Sequence, residues 1–157
     1  MRFLWLSVVV VALDQATKAA ILQFMAAPTG ISRSIPLVGD WLRLTFTENP
    51  GMAFGITIGP PGTVTVLSLI ATCLVAAYLY RIRNGYAPYL WSLSLIFGGA
   101  VGNLIDRLRF GTVTDFIDVY VGAWHWPAFN IADSAIVIGV TLMLIESLLP
   151  PRKPPGK

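Results

Sequence analysis

Two aspartates, Asp115 and Asp133, lie at the margins of apolar segments in a chain that has only eight acidic residues. Asp115 belongs to the segment 113–116, VTDF, and Asp133 stands at the start of the last apolar run. Carboxylates near hydrocarbon are costly, so their presence requires a reason. Two carboxylates that share one proton can activate water without a metal. The pair therefore predicts hydrolysis of a peptide bond at a membrane surface.

The composition is that of an integral membrane protein. With 157 residues there is room for a single domain, 1–157, and the chain is 55% hydrophobic but only 12% charged. Soluble domains carry about 25% charged residues. One Cys and one His leave no cluster of zinc ligands, so neither a metal nor another cofactor is expected. The basic residues form no stripe among aromatics, which argues against a nucleic-acid partner.

Four apolar segments predict four transmembrane helices, because each approaches the ~20 residues that cross the bilayer core. They occupy about 3–24, 64–80, 87–105 and 131–149. If the helices alternate in direction, six Lys and Arg residues lie on the side of the termini and four on the other side. The positive-inside rule then predicts that both termini are cytoplasmic.

The segment between helices 1 and 2 predicts a small extracytoplasmic β-sheet at about 34–58. Residues 41–47 alternate, which places Leu42, Leu44 and Phe46 on one face of a strand. The turn 49–51 then allows 52–54 to return as a second strand. The expected fold class is thus an all-α integral membrane protein of four transmembrane helices, with a small extracytoplasmic β-sheet between helices 1 and 2. The Pro-rich, basic tail, about 150–157, is expected to be disordered.

The polar residues of three helices fall in the outer half of the membrane under this topology. Within each helix they are spaced three or four residues apart, so each helix carries one polar stripe that can face the bundle interior. The stripes comprise Asp14 and Lys18 in helix 1, Asn103, Asp106 and Arg107 in helix 3, and Asn130 and Asp133 in helix 4. They can therefore form one site.

Each of these residues also has a structural interpretation. Asp14 and Lys18 can form an intrahelical ion pair, which lowers the insertion cost of about 2.5–3.5 kcal/mol per charge. Residues 106–107 can mark a helix end at the lipid headgroups. Asp133 can act as an N-cap, a common role for Asp or Asn before an apolar run. It is the joint placement of the stripes that favours a site.

Two further features have ordinary explanations when taken alone. Asp115 is compatible with an exposed loop, and Asn49-Pro50-Gly51 with a simple turn.

Five motifs in chain order resemble the lipoprotein signal peptidase family, also called signal peptidase II. The match extends from helix 1 to helix 4, and all five together are far more specific than any one. The motifs are 14–18 (DQATK), 49–54 (NPGMAF), 98–107 (GGAVGNLIDR), 113–116 (VTDF) and 129–134 (FNIADS).

The resemblance implies an aspartic endopeptidase of the bacterial inner membrane, with its active site toward the outer face. Its substrates would be prolipoproteins that carry diacylglycerol on a cysteine, and it would cut before that cysteine among membrane lipids. The family's catalytic aspartates fall on Asp115 and Asp133. Its other motif residues, as site support or substrate contacts, fall on Asp14, Lys18, Asn49, Gly51, Asn103, Asp106, Arg107 and Asn130. By family analogy, a globomycin-type antibiotic would inhibit it.

The expected mechanism needs one aspartate ionised and the other protonated, without fixing which. Asn130 would orient Asp133, Asn49 and Asn103 would hold the substrate backbone, and Arg107 would stabilise the site or meet lipid phosphate.

Two other functions remain open. A small transporter or proton channel also places charges in the membrane, although Glu146 is the only acid near the inner side. A serine protease could use Lys18 as its base.

Overall fold

The computed structural model describes residues 3–25, 34–51, 56–122 and 124–149. The elements in chain order are α1 (Leu4–Met25), β1 (Ser34–Val38), β2 (Leu42–Asn49), α2 (Thr63–Arg81), α3 (Ala87–Phe110), β3 (Val113–Val121), β4 (Trp124–Phe129) and α4 (Ile131–Leu148). The four helices are long and apolar enough to cross a membrane, with mean hydropathy between 1.3 and 1.9. The predicted set of four spans is therefore confirmed.

The central helix of the bundle is α3, which packs against α1, α2 and α4. Half of its most apolar window is buried, compared with 17% for α2 and α4, whose remaining surface is left for lipid. Small residues permit this central position, since Gly98, Gly99 and Gly102 are all buried in α3.

The helix α3 continues five residues past the predicted end at 105. Asp106 and Arg107 therefore lie within its last turns, and the interpretation of this pair as the helix end at the headgroups is wrong. The extension is possible because the Asp106 carboxylate is buried among polar partners. The helix ends where Gly111 adopts a left-handed conformation, φ 76°, and its N–H bonds the carbonyl of Arg107.

The β-sheet is larger than predicted and draws on two connections. It has four antiparallel strands in the order β1-β2-β3-β4, so half of it comes from the segment between α3 and α4. The predicted position between helices 1 and 2 therefore holds for β1 and β2 but not for β3 and β4. The strand β3 shows no period-two pattern because four consecutive residues, Val113 to Phe116, are buried. The predicted return strand at 52–54 and the tail 150–157 lie outside the described residues.

The sheet is attached to the end of α1 by a hydrophobic cluster. Ile21 and Met25 of α1 contact Phe116 of β3, with Leu44 and Phe46 of β2 packed beside them. This confirms the apolar face that the alternation in β2 predicts for Leu44 and Phe46. We call this end of the helix bundle the sheet end.

Candidate active site

Asp133 is held in place by the first turn of α4. Asn130 is the N-cap: its Oδ1 accepts the Asp133 N–H at 2.9 Å, while its own N–H donates to Asp133 Oδ2 at 3.2 Å. This reciprocal pair is a capping box. The N-cap is thus Asn130, and Asp133 stands three residues inside the helix with its carboxylate turned back toward the cap.

Asp115 is brought to the same place by the sheet. In the ladder it lies opposite Thr47 of β2, and it is 3% exposed, so the exposed-loop interpretation is wrong. Its Oδ1 accepts from Asn130 Nδ2 at 2.7 Å, and its Oδ2 accepts from Asn49 Nδ2 at 3.0 Å. Asn130, fully buried, therefore contacts both carboxylates.

A second amide, that of Asn103 on α3, completes the surroundings of Asp133. Its Nδ2 donates to Asp133 Oδ1 at 2.7 Å. Its Oδ1 accepts from Asn130 Nδ2 at 3.1 Å and from Lys18 Nζ at 2.9 Å. Two asparagines thus connect the aspartate pair to a buried ammonium group.

A buried ionic cluster of Lys18, Asp14 and Asp106 adjoins the amide of Asn103. Lys18 Nζ is 2.9 Å from Asp14 Oδ2 and 3.0 Å from Asp106 Oδ2, and the three side chains are 2%, 0% and 1% exposed. Burying an ion pair costs free energy unless further hydrogen bonds satisfy it. Backbone donors meet that need, since the N–H of Ala132 donates to Asp14 and that of Thr114 to Asp106. The predicted ion pair is present, but as one part of a network that joins α1, α3, β3 and α4.

Gln15 belongs to this cluster and was not assigned a role from sequence. Its Nε2 donates to Asp106 Oδ1 at 2.9 Å, to Asp14 Oδ2 at 3.2 Å and to the carbonyl of Gly102 at 3.2 Å. The available signal was its spacing, because Gln15 and Lys18 are three residues apart in an otherwise apolar helix. Both carboxylates of the cluster therefore have an amide donor beside the ammonium.

The turn that follows β2 is tied to the site at both ends. Gly51 donates its N–H to Asn49 Oδ1 at 2.9 Å, which leaves Asn49 Nδ2 for Asp115. The Gly51 carbonyl accepts from Arg107 Nη2 at 3.0 Å. The turn is thus part of the site, and all ten residues predicted for the site belong to one continuous network of polar contacts.

The electrostatics of the site favour a shared proton. The pKa of Asp115 is raised from 3.8 to about 6, mainly because burial disfavours the charged carboxylate, and the nearby charge of Asp133 contributes to the rise. The hydrogen bonds from Asn49 and Asn130 and the charge of Lys18 lower this pKa and partly offset the rise. A carboxyl group that titrates near neutral pH beside a second carboxylate can both accept and donate a proton. Within the described ranges, no three His, Cys, Asp or Glu side chains form a group suited to a metal ion.

Fold and site together define a multi-pass membrane protein with a buried, hydrogen-bonded aspartate pair at one end of its helix bundle. The chain belongs to the signal peptidase II family, since the family model described as Signal peptidase (SPase) II matches residues 6–149. This confirms the resemblance that the five motifs indicate.

Individual relatives agree over nearly the whole chain. The lipoprotein signal peptidase of Syntrophus aciditrophicus is 40% identical over 151 residues, covering 93% of this chain and 91% of the relative. That of Desulforapulum autotrophicum is 45% identical over 150 residues, covering 91% and 89%. Two solved structures, each described as a bacterial membrane enzyme structure, are 35% identical with TM-scores of 0.76 and 0.75. Both cover 92% of this chain, and this chain covers 85% and 90% of theirs.

Proposed function

We propose that this chain is an aspartic endopeptidase that removes signal peptides from diacylglyceryl-modified prolipoproteins, cutting before the lipidated cysteine. One observation carries the proposal: Asn130 hydrogen-bonds both Asp115 and Asp133 in a member of the signal peptidase II family. The relatives' names supply the substrate class, lipoprotein precursors. The paired carboxylates supply the chemistry.

In the mechanism, Asp115 and Asp133 hold one proton between them. The ionised member takes a proton from a water molecule, whose oxygen attacks the scissile carbonyl carbon. The protonated member donates a hydrogen bond to the developing oxyanion, and a proton then passes to the leaving amine as the C–N bond breaks. The sharing of one proton by the pair is supported by burial, which raises the pKa of Asp115 toward neutrality.

The three asparagines position the two carboxyl groups. Asn49 and Asn130 each aim an amide N–H at Asp115, and Asn103 aims one at Asp133. Because these donors are already engaged, we assign Asn49 and Asn103 to orienting the aspartates rather than to holding the substrate backbone. Arg107 secures the turn at Gly51.

The site lies at the outer face of the bacterial inner membrane in this proposal, with both chain termini cytoplasmic. The distribution of Lys and Arg supports that orientation. Acyl chains of the substrate would remain among the membrane lipids while its peptide bond reaches the aspartates at the sheet end. Confinement of both partners to one plane contributes to their proximity. A globomycin-type inhibitor is expected to bind here by family analogy.

The other two functions find less support. The family model and the relatives named above describe peptidases, which gives a transporter no support. A serine protease would need Lys18 as a free base, but its ammonium donors are engaged by Asp14, Asp106 and Asn103, and the side chain is 2% exposed.

The test of the proposed function is cleavage of a defined precursor. Purified protein in lipid or mild detergent is incubated with a diacylglyceryl-modified prolipoprotein and with the same precursor lacking the lipid, and the products are weighed by mass spectrometry. We expect a single cut directly before the lipidated cysteine and no cut in the unmodified precursor. Absence of cleavage, or equal cleavage of both precursors, would refute the proposal.

A pH prediction concerns Asn49. Because its hydrogen bond lowers the pKa of Asp115, Asn49→Ala raises that pKa above about 6. A pair that needs one proton gives a bell-shaped dependence of kcat on pH. In Asn49→Ala the limb of this profile that Asp115 controls should move to higher pH by about 0.5–1 unit. The value of kcat at the optimum should fall about tenfold. Initial cleavage rates between pH 4 and 9 measure this. Thr45→Ala, a change on the same strand away from the pair, should leave the profile unchanged, and an unshifted profile in Asn49→Ala would contradict the prediction.

A further inference from the structure

We infer that the buried Lys18 is a positioning residue for cleavage, because its ammonium fixes the orientation of the Asn103 amide and thereby directs an N–H donor at Asp133. The inference rests on the proposed function and adds to it a role for the ionic cluster below the aspartates. Lys18 belongs to α1, whereas the aspartates belong to β3 and α4, and Asn103 of α3 connects Lys18 to Asp133.

The orientation of Asn103 follows from what its neighbours can donate. An amide has an oxygen that accepts and a nitrogen that donates, and the two ends are nearly isosteric. An ammonium group has no acceptor, so the end of Asn103 that lies 2.9 Å from Lys18 Nζ must be Oδ1. The other end is then Nδ2, which donates to Asp133 Oδ1 at 2.7 Å. Lys18, together with the Asn130 Nδ2 that donates to the same oxygen, thus selects the productive one of two rotations.

The second amide is oriented consistently with the first. Asn130 Oδ1 accepts the backbone N–H of Asp133, so its Nδ2 faces Asp115 Oδ1 at 2.7 Å and Asn103 Oδ1 at 3.1 Å. If Asn103 rotated, its Nδ2 would meet the Nδ2 of Asn130, and two donors would oppose each other. Loss of the ammonium removes the charged one of the two donors to Asn103 Oδ1, and rotation of Asn103 would then disturb the hydrogen bonds to both aspartates.

Lys18 has no donor left for a direct role in catalysis. Its three N–H groups match three acceptors, Asp14 Oδ2, Asp106 Oδ2 and Asn103 Oδ1, at 2.9, 3.0 and 2.9 Å. The two carboxylates hold the ammonium in place, and Asn103 is its only uncharged partner among the contacts described. Each carboxylate oxygen of Asp14 and Asp106 has a donor, because Gln15 and two backbone N–H groups complete the contacts that the ammonium makes.

The charge of Lys18 also acts on the aspartate pair. It lowers the pKa of Asp115, so its removal should move the limb of the pH profile that Asp115 controls to higher pH. Among the described residues, the other charged groups near Asp115 and Asp133 are Asp14 on α1 and Asp106 and Arg107 on α3. The strand β2 contributes the uncharged Asn49, and its Glu48 is exposed.

The test compares kcat, KM and the pH profile for cleavage of a diacylglyceryl-modified prolipoprotein by purified variants. Lys18→Met should lower kcat at least 100-fold with KM changed less than threefold, and move the limb of its pH profile that Asp115 controls to higher pH. The double variant Lys18→Met/Asn103→Leu should be no slower than the slower single variant, because both changes remove the same interaction. Ser7→Ala, which removes a buried hydrogen bond between α1 and α3 far from the pair, should retain wild-type kcat and pH profile.

Lys18→Met leaves two buried carboxylates without a cation and can prevent folding, so a charge-balanced variant is included. Lys18→Met/Asp106→Asn removes one positive and one negative charge, yet still lacks the donor to Asn103. Relative to Asp106→Asn alone, the charge-balanced variant should lose kcat at least 100-fold, as Lys18→Met does relative to the wild type. Wild-type kcat in either Lys18 variant, or a loss explained by the folded fraction with an unshifted profile, would overturn the inference while leaving the proposed function intact. A wild-type protein that cuts no prolipoprotein would overturn both.

Discussion

Asp115→Asn and Asp133→Asn should each lower kcat for prolipoprotein cleavage by about 10³-fold or more, since each removes one member of the acid–base pair. Asparagine matches aspartate in size but cannot exchange a proton, so the chemistry is lost with little change in packing. The double variant should be no slower than the single variants, because groups that act as a unit are not additive. Rates from purified protein at equal folded concentration measure this.

Asp118 provides the matched control for these variants. It lies on the same strand, three residues from Asp115, and is also buried, and it accepts a hydrogen bond from Thr45 Oγ1 at 3.3 Å. Asp118→Asn should retain kcat within about threefold. Robust cleavage by Asp115→Asn or Asp133→Asn, or an equal loss in Asp118→Asn, would contradict the assignment of the catalytic pair.

Gly99→Ala should strongly reduce both stability and cleavage, because α3 and α4 touch at this glycine. A Cβ at Gly99 would lie 2.3 Å from the carbonyl oxygen of Ala132 and 2.7 Å from Ile136 Cγ1. Alanine favours helices by about 1 kcal/mol over glycine, whereas overpacking costs about 1–3 kcal/mol or more. The clash involves backbone, which cannot rotate away, so overpacking should exceed the gain in helix propensity.

The consequence for activity follows from where α4 begins. Displacing Ala132 moves the neighbouring Asp133 away from Asn103, so kcat should fall more than tenfold along with a lower unfolding temperature. Thermal unfolding in detergent and initial cleavage rates test both. Leu108→Ala on the same helix, at a side chain that is 64% exposed, should change neither by much. Wild-type stability in Gly99→Ala would show that the two helices do not pack as described.

The membrane helices and the convergence of their polar residues were predictable because the bilayer makes their signals strong. Uncharged runs near 20 residues have few alternative explanations, and a polar stripe in hydrocarbon must face the protein interior. The convergence of Asp14, Asn103 and Asn130 on one end followed from alternating helix direction alone. The helix bounds differed from prediction by a residue or so, except at the end of α3.

The features that could not be predicted depend on tertiary contacts, which leave little signal in the local sequence. Strand β3 is buried along its first four residues, so it lacks the alternation that reveals a half-buried strand. The last turns of α3 include Asp106, whose carboxylate pairs with Lys18 of another helix. The role of Gln15 depends on its hydrogen bonds to both Asp14 and Asp106, and Asp106 lies on another helix. The orientation of each amide likewise depends on donors from distant segments.

The most direct measurement of the central claim counts the protons held by Asp115 and Asp133. Infrared difference spectra between the wild type and the Asp115→Asn/Asp133→Asn variant, recorded at the pH of maximal kcat, report the carboxyl and carboxylate bands that the two side chains contribute. The proposed mechanism requires one protonated carboxyl group and one carboxylate from the pair. Two carboxylates, or two protonated groups, at that pH would contradict it.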